Sequence, residues 1–111
     1  MLVYLAAPYS RFPDKARLMR ALMEFAGEYM IQHPGVHLVS PLFNHYALEL
    51  VPALGTDYPF WSEYSRDLLS RCDELLVLRI RGWEQSTGVQ DEMKHASDLG
   101  IPIELHTIEI Y

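Results

Sequence analysis

The chain has 111 residues, half of them apolar, and 9 lysines and arginines against 15 aspartates and glutamates. This length and composition fit one globular domain with a single core, so we predict one domain over residues 1–111. The net charge of -6, with no basic patch on any one segment, argues against a nucleic-acid polymer as partner.

Cysteine and histidine usage excludes several kinds of site. A single cysteine, Cys72, permits no disulfide within the chain and no cysteine-based zinc set. The five histidines form no HxH or HExxH pair, so no metal or other cofactor is predicted. The start of the chain lacks a signal-peptide pattern and no apolar run approaches about 18 residues, so we expect a cytoplasmic protein with no membrane partner.

The first third of the chain predicts a buried strand and a long helix. "LVYLA" (2–6) is a compact apolar run that ends before Pro8, as expected of a strand buried on both faces. From Asp14, a suitable N-cap, to Gln32 the apolar residues recur at helical spacing. "HPG" (33–35) ends this pattern.

The rest of the chain continues to alternate strands and helices. The predicted elements are a strand at 36–41, a short helix or helical loop at 42–51, a turn-rich loop at 52–59, a helix at 60–72, a strand at 73–80, a helix at 86–100, a strand at 101–106 and an optional edge strand in the tail. This order predicts an α/β doubly wound domain, with a mostly parallel sheet of four or five strands between helices. Ligands bind such sheets beyond the carboxyl ends of the strands, in the loops "APYSRFP", "SPLFNH" and "RGWEQSTG".

Glu92 is the carboxylate whose position is hardest to explain as ordinary surface. At about 100° per residue, it falls on the apolar arc of its helix, with Val89, Met93, Ala96 and Leu99. We expect the positive helix terminus, rather than burial, to set its charge and keep it ionised, as a carboxylate nucleophile requires. The alternative is a capping contact near Gly88 that only stabilises the helix.

The loop residues offer further candidates, each with a structural alternative. Gly88 lets a backbone approach a ligand and Ser86 joins the amides of a helix start, although Ser86 taken alone is better explained as an N-cap. Tyr9, Ser10 and Arg11 offer hydroxyls and a guanidinium to a sugar or phosphate, or form an ordinary turn.

Aromatic rings supply a second group of candidates. Trp61 and Trp83 are able to stack on a planar base, or to pack at the core or its rim. His45 follows the end of a strand and faces the site, or is simply a hydrogen-bonded histidine.

The segments "YLAAPYS", "SPLFNH" and "CDELLVLRIRGWEQSTGVQDEMKHASDLGIPI" resemble the DUF1937 family. That family is similar to a branch of the nucleoside 2-deoxyribosyltransferase superfamily, which includes 2'-deoxynucleoside 5'-monophosphate N-glycosidases. The resemblance covers nearly the whole chain, and "GW-x-x-S-x-G-x-x-x-E" is its most specific part. It implies a flavodoxin-like three-layer sandwich, usually in a homodimer or higher homo-oligomer.

The resemblance also implies roles for single residues. Glu92 is similar to the glutamate that attacks C1' of a deoxyribosyl group, expels the base and forms a glycosyl-enzyme ester. Tyr9 is similar to a residue that lies close to this glutamate and orients it. The remaining candidates for binding the substrate or its 5'-phosphate are Ala7, Pro8, Ser10, Arg11, His45, Trp61, Trp83, Ser86 and Gly88.

One position departs from the superfamily pattern. Where an aspartate is expected in the helix before the third strand, this chain has Ser65. The helical period gives this helix an inward arc defined by Trp61, Tyr64, Leu68 and Cys72. Ser65 lies within that arc, and Asp67 points about 200° away from Ser65. Protonation of the leaving base or recognition of the sugar then falls to another group, for which Glu63, Asp57 or a neighbouring subunit are candidates.

Two functions therefore remain. The first is an enzyme that cleaves the N-glycosidic bond of a small (deoxy)nucleoside or its 5'-monophosphate. The second is a nucleotide-binding or sensing module that kept the crevice without the chemistry.

Overall fold

The computed structural model describes residues 1–10 and 12–110, and it is an α/β sandwich with a four-stranded parallel sheet. The strands are β1 (Leu2–Ala6), β2 (His37–Val39), β3 (Glu74–Arg79) and β4 (Ile103–Thr107). They pair in the order β2-β1-β3-β4, consistent with a flavodoxin-like sheet. The helices are α1 (Lys15–Gln32), α2 (His45–Leu50), α3 (Tyr58–Leu69) and α4 (Thr87–Asp98), with short 3-10 turns at Pro41–Asn44, Pro52–Leu54 and Trp83–Gln85.

The sheet separates two apolar layers, as the continuous apolar strands predict. Val3 and Leu5 of β1 face α1, whose buried side chains form one core. Tyr4 and Ala6 alternate with them and face the other core, which includes Val89 and Ala96 of α4. Since β1 is buried on both faces, any polar atom on it must find a partner inside the protein.

The predicted tail strand is not found among the described residues. β4 continues to Thr107, one residue beyond the predicted end, and residues 108–110 are in no strand. Ile108 and Ile110 instead pack against the core on the α1 side of the sheet. The tail is therefore held by apolar contact with the core rather than by pairing with a strand.

Two side chains that the helical period placed inward are exposed. Tyr64 is 38% exposed, and its hydroxyl accepts a hydrogen bond from Nδ2 of Asn44 at 3.0 Å. By contrast, Leu69, at the end of the same helix, is fully buried. Leu99 is 49% exposed because it lies past the last turn of α4, as the C-cap.

The order of the strands creates a crevice at one edge of the sheet. The chain leaves β1 through α1 to reach β2 on one side, then returns through α2 and α3 to β3 on the other side. The loops after β1 and β3 therefore diverge at the carboxyl ends of adjacent strands, where this class of sheet binds ligands. Within the described residues, no helix combines the length and apolar character needed to cross a membrane.

Candidate functional site

A crevice of about 410 Å³ lies at this strand switch. Its walls come from the loop after β1, the beginnings of α1 and α2, the first two turns of α3 and the start of α4. Glu92 of α4 and the α3 residues Ser65 and Trp61 line it together with Tyr9, from the loop after β1, and His45, from the start of α2. The volume suits a ligand the size of a nucleoside or nucleotide.

Glu92 lies in the wall of the crevice and is hydrogen-bonded to the sheet. The hydroxyl of Tyr4, on β1, donates to Oε2 of Glu92. Tyr4 is fully buried, and burial, together with the charge of Glu92, raises the pKa of its hydroxyl. The hydroxyl therefore stays protonated and remains a donor. This contact rules out the capping alternative for Glu92, since the cap of α4 is Ser86.

Burial also sets the charge state of Glu92. It raises the pKa of the carboxyl from 4.5 to about 7; the hydrogen bond from Tyr4 lowers the pKa and the charge of Asp91 raises it. The expectation that the helix terminus would keep Glu92 ionised is therefore wrong. Glu92 is the sixth residue of α4, beyond the first turn where the positive end of the helix is felt, so burial prevails.

The resemblance implied that Tyr9 orients Glu92, but the tyrosine hydroxyl hydrogen-bonded to Glu92 is that of Tyr4. The hydroxyl of Tyr9 pairs with Nδ1 of His45 at 2.6 Å, and Nε2 of His45 lies 2.8 Å from Oε1 of Glu49. The sequence does not single out Tyr4, because it belongs to an apolar run typical of core. The period of two along the strand nevertheless places Tyr4 on the face of the sheet that α4 covers.

Ser65 adds a second hydroxyl to the hydrogen-bonded group formed by Tyr4 and Glu92. It lines the crevice and hydrogen-bonds to Tyr4, which lowers the pKa of the tyrosine. Asp67 projects away from the sheet, as the period predicts, and pairs with Arg71 at 3.0 Å. Among the described residues that line the crevice, Glu92 is the only carboxylate.

The two carboxylates suggested as substitutes lie elsewhere. Asp57 is the N-cap of α3, and its Oδ2 accepts from the amide of Phe60 at 3.3 Å. Glu63 is exposed and lines an open groove on the outer face of α3. Neither belongs to the walls of the crevice.

Ser86 and Gly88 form its edge at the start of α4. Ser86 is buried, and its Oγ accepts from the amide of Val89 at 3.3 Å, so it is the N-cap. Gly88 is exposed, and a Cβ built on it would meet only Oγ of Ser86, at 3.9 Å. The fold itself therefore does not require glycine here, which leaves close approach by a ligand as a reason for it.

Lys15 is a crevice residue that sequence reasoning missed. Its Nζ lies 4.9 Å from the centroid of the Tyr9 ring and donates to the carbonyl of Phe12, and burial lowers its pKa. The signal was its place at the first turn of the helix after the loop. Ser10 is exposed on the crevice, whereas Arg11 lies outside the described residues.

The remaining candidates divide between the crevice and the core. Trp61 lines the crevice, and its Nε1 donates to the carbonyl of Gly55 at 2.9 Å. Trp83 packs against the core under α4 and does not line the crevice. Ala7 lines it, whereas Pro8 is buried outside its lining. In the described part of the chain, no group of three or more His, Cys, Asp or Glu side chains is arranged to hold a metal ion.

A family model described as a domain of unknown function, DUF1937, matches residues 1–107. The match thus includes all four strands and all four helices. No curated protein matches the chain.

Proposed function

The chain belongs to the DUF1937 family, and we propose that it cleaves the N-glycosidic bond of a small (deoxy)nucleoside or its 5'-monophosphate. Glu92 is the nucleophile, and the products are those of an N-glycosidase or a deoxyribosyltransferase. The observation that carries the proposal is the Glu92 carboxylate in the wall of a nucleotide-sized crevice, held by a buried tyrosine. The resemblance to the nucleoside 2-deoxyribosyltransferase superfamily supports it.

In the proposed reaction, Oε2 of Glu92 stays hydrogen-bonded to Tyr4 while Oε1 attacks C1'. The bond from C1' to the base breaks, and its electron pair leaves with the base. Water or a second base then opens the glycosyl ester. Since only the ionised carboxylate attacks and its pKa is about 7, the activity of the free enzyme rises with pH through this value.

The 5'-monophosphate is the favoured form of the substrate. Lys15 supplies a cation in the wall of the crevice, and Ser10 supplies a hydroxyl nearby. Ser86 and Gly88 stand at the start of α4, where backbone amides favour an anion. These groups suit one phosphate on a small molecule rather than a polymer.

Several apolar side chains on and around α2 and α3 are exposed, among them Tyr46, Leu50, Val51 and Phe60. Exposed apolar side chains of this kind suit contact with a second copy of the chain, so we propose that the protein forms a homodimer. We propose the cytoplasm as its location.

The second function is a nucleotide-binding or sensing module. It is favoured by Ser65, because the crevice wall holds a hydroxyl at the position where the superfamily places an acid. Such a module binds a nucleotide and leaves its glycosidic bond intact.

The test is incubation with a panel of nucleosides and 5'-monophosphates, with free base measured by chromatography. We expect release of base by the wild type and by Glu28→Gln, an exposed glutamate of α1, and none by Glu92→Ala. Release that survives in Glu92→Ala would remove Glu92 from the nucleophile role. Thermal stabilisation by a nucleotide, with no base released from any member of the panel, would favour the binding module.

A further inference from the structure

A row of three hydrogen-bonded side chains leads from the crevice to solvent. Tyr9 lines the crevice and its hydroxyl lies 2.6 Å from Nδ1 of His45. Nε2 of His45 lies 2.8 Å from Oε1 of Glu49. The side chain of His45 is 6% exposed and that of Glu49 is 56% exposed, so the buried imidazole joins a crevice hydroxyl to a carboxylate at the surface.

The chemistry of the three groups fixes which of them donates and which accepts in each hydrogen bond. An ionised carboxylate only accepts, so Glu49 holds a proton on Nε2 of His45. Nδ1 then accepts from the hydroxyl of Tyr9 when the imidazole is neutral, and donates to its oxygen when the imidazole is protonated. In the second state the Tyr9 proton is free to point into the crevice. Burial, followed by the charge of Glu49, raises the pKa of Tyr9, which keeps this proton in place at neutral pH.

Apart from the nucleophile Glu92, the described walls of the crevice hold no carboxylic acid for the leaving base. Ser65 stands at the superfamily's acid position, and Asp57 and Glu63 lie outside the walls. Lys15 lines the crevice, but its Nζ lies over the ring of Tyr9 and donates to a backbone carbonyl. When the imidazole of His45 is protonated, its Nδ1 holds a proton that can replace the one given up by the Tyr9 hydroxyl. This second proton donor distinguishes Tyr9 from the serine hydroxyls of the walls.

We propose that Tyr9 is the catalytic acid of the glycosidic cleavage, supplied with a proton by His45, and that His45 and Glu49 are its positioning residues. This proposal rests on the proposed function. As Oε1 of Glu92 bonds to C1', the bond from C1' to the base nitrogen breaks and its electron pair goes to the base. The Tyr9 hydroxyl gives its proton to the base, and the proton on Nδ1 of His45 passes to the Tyr9 oxygen.

In the second step, the protons move between Tyr9 and His45 in the opposite direction. Water attacks C1', the ester bond to Glu92 breaks, and the electron pair returns to the carboxylate. The proton lost by the water passes to Tyr9, and the Tyr9 proton returns to Nδ1 of His45. One side chain thus acts first as acid and then as base, as in retaining glycoside hydrolysis.

The test compares two leaving groups in the full-length protein. A purine 2'-deoxynucleoside 5'-monophosphate needs a proton on its base, whereas 4-nitrophenyl 2-deoxyribofuranoside 5-phosphate releases a stable phenolate without one. We expect Tyr9→Phe to lose about 100-fold or more of its rate on the purine substrate and to keep most of its rate on the nitrophenyl substrate. His45→Gln and Glu49→Gln follow the same selective pattern with smaller losses. The control is Tyr29→Phe, near the end of α1 and outside the walls of the crevice, which keeps both rates.

Each other outcome overturns the acid role. Equal losses on both substrates would make Tyr9 a residue that only shapes the crevice, and no loss on either would remove it from the reaction. If the wild type cleaves both substrates through Glu92 while Tyr9→Phe shows no selectivity, the proposed function stands and the acid role fails. If the wild type cleaves neither substrate, both proposals fail together.

Discussion

Replacing Glu92 by glutamine should stabilise the protein at alkaline pH. Burial raises the pKa of Glu92 from 4.5 to about 7, so between these values the folded state binds a proton that the unfolded chain has released. The contribution of Glu92 to stability is therefore fully present below pH 4.5 and is lost as the pH rises through about 7. Glutamine keeps the shape and an oxygen that accepts from Tyr4, but it never carries the charge.

The size of the effect follows from the two pKa values. The difference between 4.5 and about 7 corresponds to about 3 kcal/mol in the free energy of unfolding at pH 8. For a domain of this length, about 1 kcal/mol shifts the Tm by roughly 4 °C, so Glu92→Gln should melt roughly 10 °C higher than the wild type at pH 8. At pH 4.5 the two proteins should melt within a few degrees of each other.

The assay is urea unfolding and thermal melting of both proteins from pH 4.5 to 8.5, each followed by circular dichroism. The matched control is Glu28→Gln, the same change on the exposed face of α1, which should follow the wild type at every pH. If Glu92→Gln shows no gain in stability at pH 8, or the same gain at pH 4.5, then burial does not set the charge state of Glu92.

Three further predictions test the neighbourhood of the crevice and the fold. Tyr4→Phe removes the hydrogen bond that lowers the pKa of Glu92, so the midpoint of the pH-rate profile for base release should move upward; an unchanged midpoint would contradict this role. Gly88→Ala should weaken binding of a 5'-monophosphate in calorimetry, whereas Gly27→Ala, in α1, should not. Neither should lower the Tm, because outside the adjoining backbone the added Cβ would meet only Oγ of Ser86, at 3.9 Å, in the case of Gly88, and no atom within 4 Å in the case of Gly27. Asp14→Ala should lower the free energy of unfolding by about 1 kcal/mol in urea titration, because the Asp14 side chain accepts a hydrogen bond from the amide of Arg17 at 3.1 Å. An unchanged free energy would mean that the cap is dispensable.

Most of the fold could be predicted because the chain marks the ends of its elements clearly. Asp14 caps α1, and the "HPG" turn follows its last residue, Gln32. α3 begins two residues before its predicted start because Pro59 is tolerated in the first turn of a helix. The sequence pattern suggested a turn at this proline, whereas Asp57 begins the helix just before it.

The candidate site was predicted less completely, since its chemistry depends on contacts between distant segments. The helical period turned Glu92 inward, but periodicity does not say what the side chain meets. Its partner, Tyr4, is 88 positions away along the chain. The pKa of Glu92 depends on how densely β1, α3 and α4 surround it, a tertiary property to which local pattern is blind.

The burial that weakens the protein at alkaline pH also explains how Glu92 is suited to attack. A carboxylate whose charge is poorly solvated gains most when positive charge develops beside it, as at C1' during departure of the base. The free energy lost on ionising Glu92 in the empty crevice is then offset in the transition state. Glu92→Gln should accordingly be both more stable and inactive. A variant that is more stable at pH 8 and still releases base would separate the two arguments: the burial of Glu92 would stand, and its role as the nucleophile would not.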